Sequence, residues 1–256
     1  MTLRARPVRY DHILASQTLA ASDRKLAQLL ERAGPFTLRL KPTASPFEAL
    51  LESIVHQQLN GRAAKTIHDR VLALFADNSS TPAHPTPEAL LRLPDNRLRA
   101  AGLSAGKLAA LRDLAEKTRA GIVPSLAQLR RMTDEDIIAH LTQVRGIGVW
   151  TAEMLLIFRL GRPNVLPVGD YGVRKGFALT FGALRPGERV QAEDLPDAET
   201  MRRRAARWHP WCSVASWYLW RACDLAVQDA AAQNSSTPPK ARKPAPHRKV
   251  AARRKK

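Results

Sequence analysis

The stretch that decides the fold runs from Leu141 to Asp170, LTQVRGIGVWTAEMLLIFRLGRPNVLPVGD. It opens in the end of an apolar helix (Ile137, Ile138, Leu141), breaks at Gly146-Ile147-Gly148, and restarts at Trp150-Thr151-Ala152 as a strongly apolar helix. Two glycines flanking one apolar residue allow a tight turn that exposes several backbone N–H groups at a helix start. That is the positive end of the helix dipole and a ready site for a phosphate. The same Gly-x-Gly also suits a plain interhelical turn, with Ile147 plugging the gap between the helices. Asp170 follows twenty residues after Trp150, on a loop that holds Pro163, Asn164, Pro167 and Gly169. On position alone it reads as the cap of a helix starting at Tyr171.

Outward from this stretch the pattern stays helical. Ser45-Pro46-x-Glu48 is a helix start with a serine cap, a proline in the first turn and a capping box. Phe47, Leu50, Leu51, Ile54 and Val55 make the apolar face behind it. That helix ends in His56-Gln57-Gln58-Leu59-Asn60-Gly61, where Gln57 reads either as a polar helix end or as a functional side chain, and a helix from Ala63 to Phe75 follows. Further helices are expected over Arg24–Arg32, after caps at Thr86 and Asp95, over Ala105–Arg119, and from Ser125 to Arg131. Thr133-x-x-Asp136 opens the helix that enters the hairpin. Beyond Asp170, helices are expected over Val173–Phe181 and Glu199–Trp208, with a last one capped by Ser213 and running through Val227. Residues 1 to about 20 carry little pattern. Phe36 to Leu40 alternates too briefly to found a sheet and reads as extended linker. Polar or charged loops are expected at 77–87 and 183–197. The expected fold class is all-α.

With 256 residues the chain can bury a substantial core and hold one large or two modest domains. No apolar run approaches a membrane span and MTLRARPVRYDH has no apolar signal core, so a soluble protein is expected, cytoplasmic and nucleoid-associated if bacterial. Cys212 and Cys223 are the only cysteines, which argues against a disulfide framework. The formal net charge is +18. The segment Gln233–Lys256 holds nine Lys/Arg and no acid, and subtracting those nine from +18 leaves +9 on the rest. A polyanionic partner and salt-sensitive binding follow naturally, although charge alone does not exclude a merely Arg-rich soluble protein.

The run Gly-x-Gly-x-x-Thr-Ala, followed by a proline loop and an aspartate at this offset, resembles the helix-hairpin-helix (HhH-GPD) superfamily of DNA base-excision glycosylases. PFEALLESIVHQQL, GLSAGKLAALRDLA, the hairpin and PWCSVASWYLWRACD extend the likeness from about Phe36 to Leu225, and are similar to the 3-methyladenine DNA glycosylase II branch. The resemblance implies two helical domains with a cleft between them. One is a central domain at about 60–165 with the hairpin, the other is built from about 1–59 plus 166–232. Together they make a body at 1–232, followed by a disordered basic tail at 233–256. The β-containing N-terminal domain of some members has no room here. Two cysteines are too few for the iron–sulfur cluster of the endonuclease III branch.

Carried over residue by residue, the resemblance makes Asp170 the catalytic carboxylate. It would stabilise the oxocarbenium-like sugar electrostatically and orient or deprotonate the attacking water. The acid that often precedes it in the family is Gly169 here. Trp150 stands where bifunctional relatives carry the Schiff-base lysine, which implies a monofunctional enzyme without lyase activity. Trp150, Met154, Trp220 and Tyr171 fall on base-pocket positions, where aromatic faces would hold a cationic alkylated base by cation–π attraction. Trp211 and Trp217 read as core. Gln58 and Leu59 match the turn that fills the stack left by a flipped base. Backbone amides at Gly146, Gly148 and Trp150, with the Thr151 hydroxyl, would grip a DNA phosphate. The carbonyls of Thr142, Val144 and Ile147 would hold a structural Na+ or K+, with no other cofactor implied. Arg145, Arg174 and Lys175 are either further phosphate contacts or a solvated basic face. The implied activity is hydrolysis of 3-methyladenine, and of 7-methylguanine, from duplex DNA by a monomer with no membrane partner. The alternatives are a glycosylase of the same fold for other damaged bases and a noncatalytic lesion-binding module.

Overall fold

The computed structural model describes residues 5–75, 84–182, 184, 188 and 191–236; the basic tail beyond 236, and parts of the loops expected at 77–87 and 183–197, lie outside them. Thirteen α-helices and one two-stranded ribbon are found among the described residues. The architecture is all-α, and none of its described helices is long and apolar enough to cross a membrane.

The first helix is one that the sequence pattern hides. α1 (His12–Ser22) is capped by Asp11, whose carboxylate accepts from the N–H groups of Ile13 and Leu14 at 3.0 Å. Its Ala15 and Leu19 are buried while Ile13 and Leu14 face outward, so no single apolar stripe marks it. α2 (Arg24–Ala33) follows, capped by Asp23. The segment read as extended linker pairs as a minimal antiparallel ribbon: β1 (Arg6–Pro7) with β2 (Arg39–Leu40), Arg6 opposite Leu40.

In α3 (Pro46–His56) Ser45 Oγ accepts from the N–H of Glu48 at 3.1 Å, but Glu48 reaches the N–H of Ala44 instead of Ser45, so only half of the expected capping box forms. Its inner face, Leu50, Leu51, Ile54 and Val55, is fully buried. Each such side chain contributes roughly 1.5–3 kcal/mol by leaving water. Asn60 caps α4 (Gly61–Ala73), and Thr86 caps α5 (Pro87–Arg92). Asp95 is not the cap of α6 (Asp95–Ala100): Pro94 holds that place, and the Asp95 carboxylate pairs with Arg112 of α7 (Ala105–Arg119). α8 (Leu126–Leu129) carries a full Ser125–Gln128 capping box, and α9 (Asp134–Leu141) leads into the hairpin.

α10 (Val149–Leu155) leaves the hairpin, and its last turn, Leu156–Leu160, widens to i→i+5 hydrogen bonding. α11 (Tyr171–Phe181) packs on α13 (Cys212–Ser236), while α12 (Ala198–Ala205) precedes it. The α11–α13 approach is set by Gly176: a Cβ there would lie 1.9 Å from the Leu219 carbonyl oxygen. Ser213 does not cap the last helix. It sits fully buried inside α13, donating to Arg162 O at 2.6 Å and accepting from Val165 N–H at 2.9 Å, and so ties the loop before Asp170 to that helix. Most of the buried apolar side chains form a large core running from Leu50 through Leu111, Leu141 and Leu156 to Val173, Trp208 and Leu219, and Ala178, Leu184 and Leu195 make a small second cluster.

Candidate active site

The hairpin is a rigid turn. Gly146 sits at φ +78°, a backbone conformation that side-chain-bearing residues rarely adopt. Ile147 is buried in the core between the two helices. Gly148 is the N-cap of α10 and offers no side chain to the first amides of the helix, which leaves them directed outward. Asp113 of α7 braces the turn by accepting from the Arg145 N–H at 2.6 Å and from Lys117, whose ammonium also donates to the Gln143 carbonyl. Val144 O takes only the Ile147 N–H, at 3.0 Å, among the described backbone donors and keeps a second lone pair. The Val144 carbonyl can therefore accept one further contact.

Asp170 caps α11 and is also the most heavily hydrogen-bonded carboxylate of the site. Its Oδ1 accepts from Val173 N–H at 2.7 Å and from Trp220 Nε1 at 2.8 Å, and its Oδ2 accepts from Trp150 Nε1 at 2.7 Å. One side chain thus caps α11 and holds two indole N–H groups at once. Gly172 makes room for the arrangement, since a Cβ there would lie 2.8 Å from Trp220 Cδ1 and 3.1 Å from Asp170 Oδ1.

Trp150, whose indole holds Asp170, also lines a cavity of about 570 Å³, together with Met154 and Phe158 further along the same helix and with Glu52, His56 and Gln57 on and just after α3; Asp170 and Trp220 are not among its lining residues. Trp150, 47 % exposed, stands at the mouth. Phe158 stacks on Trp220 with ring centroids 5.5 Å apart and planes inclined by 30°. The widened turn that carries Phe158 lets its carbonyl accept from Lys41 N–H at 2.8 Å, which joins the β2 segment to the pocket. Gln57 Nε2 donates to the Gly146 carbonyl at 2.8 Å, so the turn at Gln58–Leu59 is fastened to the hairpin. Gln58 itself is held at φ +57°, in the left-handed region, and Leu59 is exposed.

Two charged groups belong to this site without having been singled out from the sequence. Glu52 lies in the cavity and pairs with Arg159, which in turn donates to the Pro42 carbonyl at 2.7 Å. Burial pushes the Glu52 carboxyl up, but Arg159, Lys41 and His68 outweigh it and bring it below the usual carboxylate range. Glu153, on α10, is 8 % exposed, and its carboxyl is pushed up to about 7 by burial and by the Asp170 charge, against a lowering by Arg202. Phe158 was not singled out from the sequence either, although its spacing of i, i+4, i+8 with Trp150 and Met154 is a signal that could have found it.

The structure brings Asp170, Trp150 and Trp220 into direct contact and sets Met154 in the cavity wall. Tyr171 stands apart: it is 48 % exposed at the start of α11 and does not line the cavity. Thr151 is 5 % exposed and lines the cavity, so the outward-facing groups at the hairpin are backbone N–H groups, without its hydroxyl. Arg174 is not a free surface cation either, since its guanidinium donates to the carbonyls of Leu195 and Pro196 at 2.9 and 3.0 Å. Arg145 stays exposed. Trp217 is buried and Trp211 partly buried against the core, as their reading as core residues anticipates.

A hairpin of this form, an aspartate at the head of the following helix and an aromatic cavity beside it define the class to which the protein belongs. The family description "HhH-GPD superfamily base excision DNA repair protein" matches residues 51–195, and the chain belongs to that superfamily. DNA-3-methyladenine glycosylase 1 of Schizosaccharomyces pombe is 34 % identical over 181 residues, 71 % of this chain and 74 % of the relative. Among solved structures, a Bacillus halodurans DNA-3-methyladenine glycosidase superposes with a TM-score of 0.72 at 33 % identity, covering 89 % of this chain and 95 % of that one. The S. pombe 3-methyladenine DNA glycosylase in complex with abasic DNA superposes with a TM-score of 0.65 at 30 % identity, covering 81 % of this chain and 95 % of that one.

Proposed function

We propose that the protein is a monofunctional DNA glycosylase that hydrolyses the N-glycosidic bond of alkylated purines, 3-methyladenine and 7-methylguanine, in duplex DNA. The observation that carries this reading is the Asp170 carboxylate, held by two indole N–H groups and a helix amide beside an aromatic cavity. The names of the relatives support the substrate class, and the abasic-DNA complex of the S. pombe enzyme supports DNA as the partner. In this reading the outward amides of the hairpin grip a phosphate, and Gln58 and Leu59 fill the stack left by the flipped nucleotide. Trp150 and Phe158 face the cationic base in the cavity.

Asp170 faces the sugar as its C1′–N bond lengthens, stabilises the growing positive charge and directs water to C1′. The base departs without protonation, because alkylation of its ring has already made it a good leaving group. Trp150 has no amine for Schiff-base attack, so the product is an abasic site in an unbroken strand. The protein acts as a monomer inside the cell on a two-domain body divided near residues 60 and 165. A bound Na+ or K+ would brace the hairpin without entering the chemistry.

The test is release of methylated bases from alkylated duplex DNA by wild type and Asp170→Asn, with strands resolved before and after alkali. Base release by wild type alone, with breaks appearing only after alkali, is the expected result. Equal release by Asp170→Asn would sink the mechanism. Tight DNA binding with no release by either protein would favour the lesion-binding module.

A further inference from the structure

The cavity holds a charged pair, Glu52 and Arg159, in a lining that carries Lys41, Ser53 and His56 as well as Trp150, Met154 and Phe158. Arg159 is anchored on the Pro42 carbonyl and occupies one oxygen of Glu52, Oε2, and its side chain is only 12 % exposed. The other oxygen, Oε1, accepts no hydrogen bond from any described residue, and Glu52 lines the same cavity as Trp150 and Met154. Arg159 fixes the carboxylate in one orientation and, with Lys41, keeps it ionised, so Oε1 is purely an acceptor. A flipped purine attached through N9 would enter with its sugar toward Asp170 and its remote edge toward this pair. In adenine derivatives that edge carries the exocyclic N6–H, and in guanine derivatives N1–H.

We propose that Glu52 is a specificity residue whose Oε1 accepts an N–H from the remote edge of the flipped base. The proposal rests on the base-flipping glycosylase reading above and names what that pocket selects. A base with an N–H on this edge completes the carboxylate's hydrogen bonds. A base whose edge is bridged or fully alkylated leaves a desolvated, unpaired acceptor. A polar site built for one hydrogen bond discriminates strongly in this way, whereas apolar walls distinguish such bases weakly. Arg159 is the positioning residue, because without its anchor the carboxylate would swing free.

The experiment uses the full-length chain with Glu52→Gln, which keeps the size and an oxygen for Arg159 but presents an amide in place of the fixed acceptor. Single-turnover release of 3-methyladenine is expected to fall tenfold or more. Release of 1,N6-ethenoadenine, whose remote edge has no N–H, is expected to stay unchanged or rise, and affinity for a duplex with an abasic-site analogue to stay unchanged. Glu52→Asp, which keeps the charge but shortens the reach, should move release in the same direction and covers the case of a misfolded Gln variant. Wild-type release of 3-methyladenine by both variants would overturn the proposal. So would a parallel loss of abasic-DNA affinity, which marks a merely structural role. If wild type itself releases no alkylated base, the glycosylase reading fails, a result distinct from either.

Discussion

Trp220 of α13 donates its indole N–H to Oδ1 of Asp170 at 2.8 Å, fifty residues away in sequence, while Trp150 takes the opposite oxygen at 2.7 Å. Hydrogen bonds to an ionised carboxylate are worth roughly 1.5–3 kcal/mol each, and here they also fix which way the charge points. Trp220→Phe keeps the ring that stacks on Phe158 and removes only the N–H. Base release should fall by about ten- to a hundredfold, since about 1.4 kcal/mol is a factor of ten, with the melting temperature nearly unchanged. Asp170→Asn should cost more, about a hundred- to a thousandfold, as for loss of an electrostatic stabiliser. Single-turnover kinetics of both variants checks the order. An unimpaired Trp220→Phe would mean that the indole packs without positioning.

The turn after α3 makes a prediction with two opposite signs. Gln58 sits at φ +57°, which costs a residue with a Cβ about 1–2 kcal/mol. Gln58→Gly relieves that strain, offset in part by the greater freedom of glycine in the unfolded chain. Thermal stability should therefore hold or rise slightly. Base release from duplex DNA should nevertheless drop several-fold, because the side chain that would occupy the vacated stack is gone. Differential scanning calorimetry beside a release assay separates the two effects. A variant that loses stability and keeps activity would contradict both arguments.

Gln57 is fastened elsewhere, to the Gly146 carbonyl of the hairpin at 2.8 Å. Gln57→Ala removes one hydrogen bond, worth about 0.5–1.5 kcal/mol. It uncouples the two segments proposed to touch DNA while leaving each intact. Affinity for an abasic-analogue duplex should fall by about three- to tenfold, read by fluorescence anisotropy at fixed salt. An unchanged affinity would mean that the two segments grip DNA independently.

What could be read in advance follows from how local the cause is. The hairpin, the cap at Ser45 and the helix over Ala105–Arg119 are written in neighbouring residues, and the structure places them accordingly. α1 escaped because Ile13 and Leu14 point outward and blur its stripe, so only the Asp11 cap marks it. Ser213 resembled a cap, but its hydroxyl is claimed by Arg162 and Val165 fifty residues earlier. Asp170 needed the family likeness, since its two indole partners lie twenty and fifty residues away. Glu52 and Arg159, more than a hundred residues apart, pair only once β2 and the last turn after α10 have been brought together.

Glu153 gives a dependence on pH whose sign is fixed by its environment. Its carboxyl is pushed up from 4.5 to about 7 by burial and by Asp170, so the folded protein keeps a proton that the unfolded chain has already released. This contribution to stability is fully present below about pH 4.5 and is lost as pH rises through 7. Other carboxylates and histidines shape the wild-type curve, but the difference from Glu153→Gln isolates this group. The variant should match wild type near pH 4.5 and exceed it at pH 8, by up to about 3 kcal/mol. Urea titrations at the two pH values measure the gap, and parallel curves would show that Glu153 is charged in the folded state.

Gly176 tests whether the site depends on how closely α11 and α13 approach. A methyl group at this position would stand 1.9 Å from the Leu219 carbonyl oxygen, a backbone atom that no rotamer change can move aside. Alanine favours a helix over glycine by about 1 kcal/mol, which is too little to offset the overlap. The helices must separate, and overpacking of this kind costs about 1–3 kcal/mol or more. Asp170 and Val173 ride on α11 while Trp220 rides on α13, so separation also stretches the 2.8 Å bond between indole and carboxylate. Gly176→Ala should therefore lower the melting temperature by at least about 2–4 °C, as expected per kcal/mol for a chain of this size. Base release should fall at temperatures where the variant is still folded. A stable variant with reduced release would locate the whole effect in the Trp220–Asp170 contact, whereas wild-type release from a destabilised one would show that the contact survives the shift.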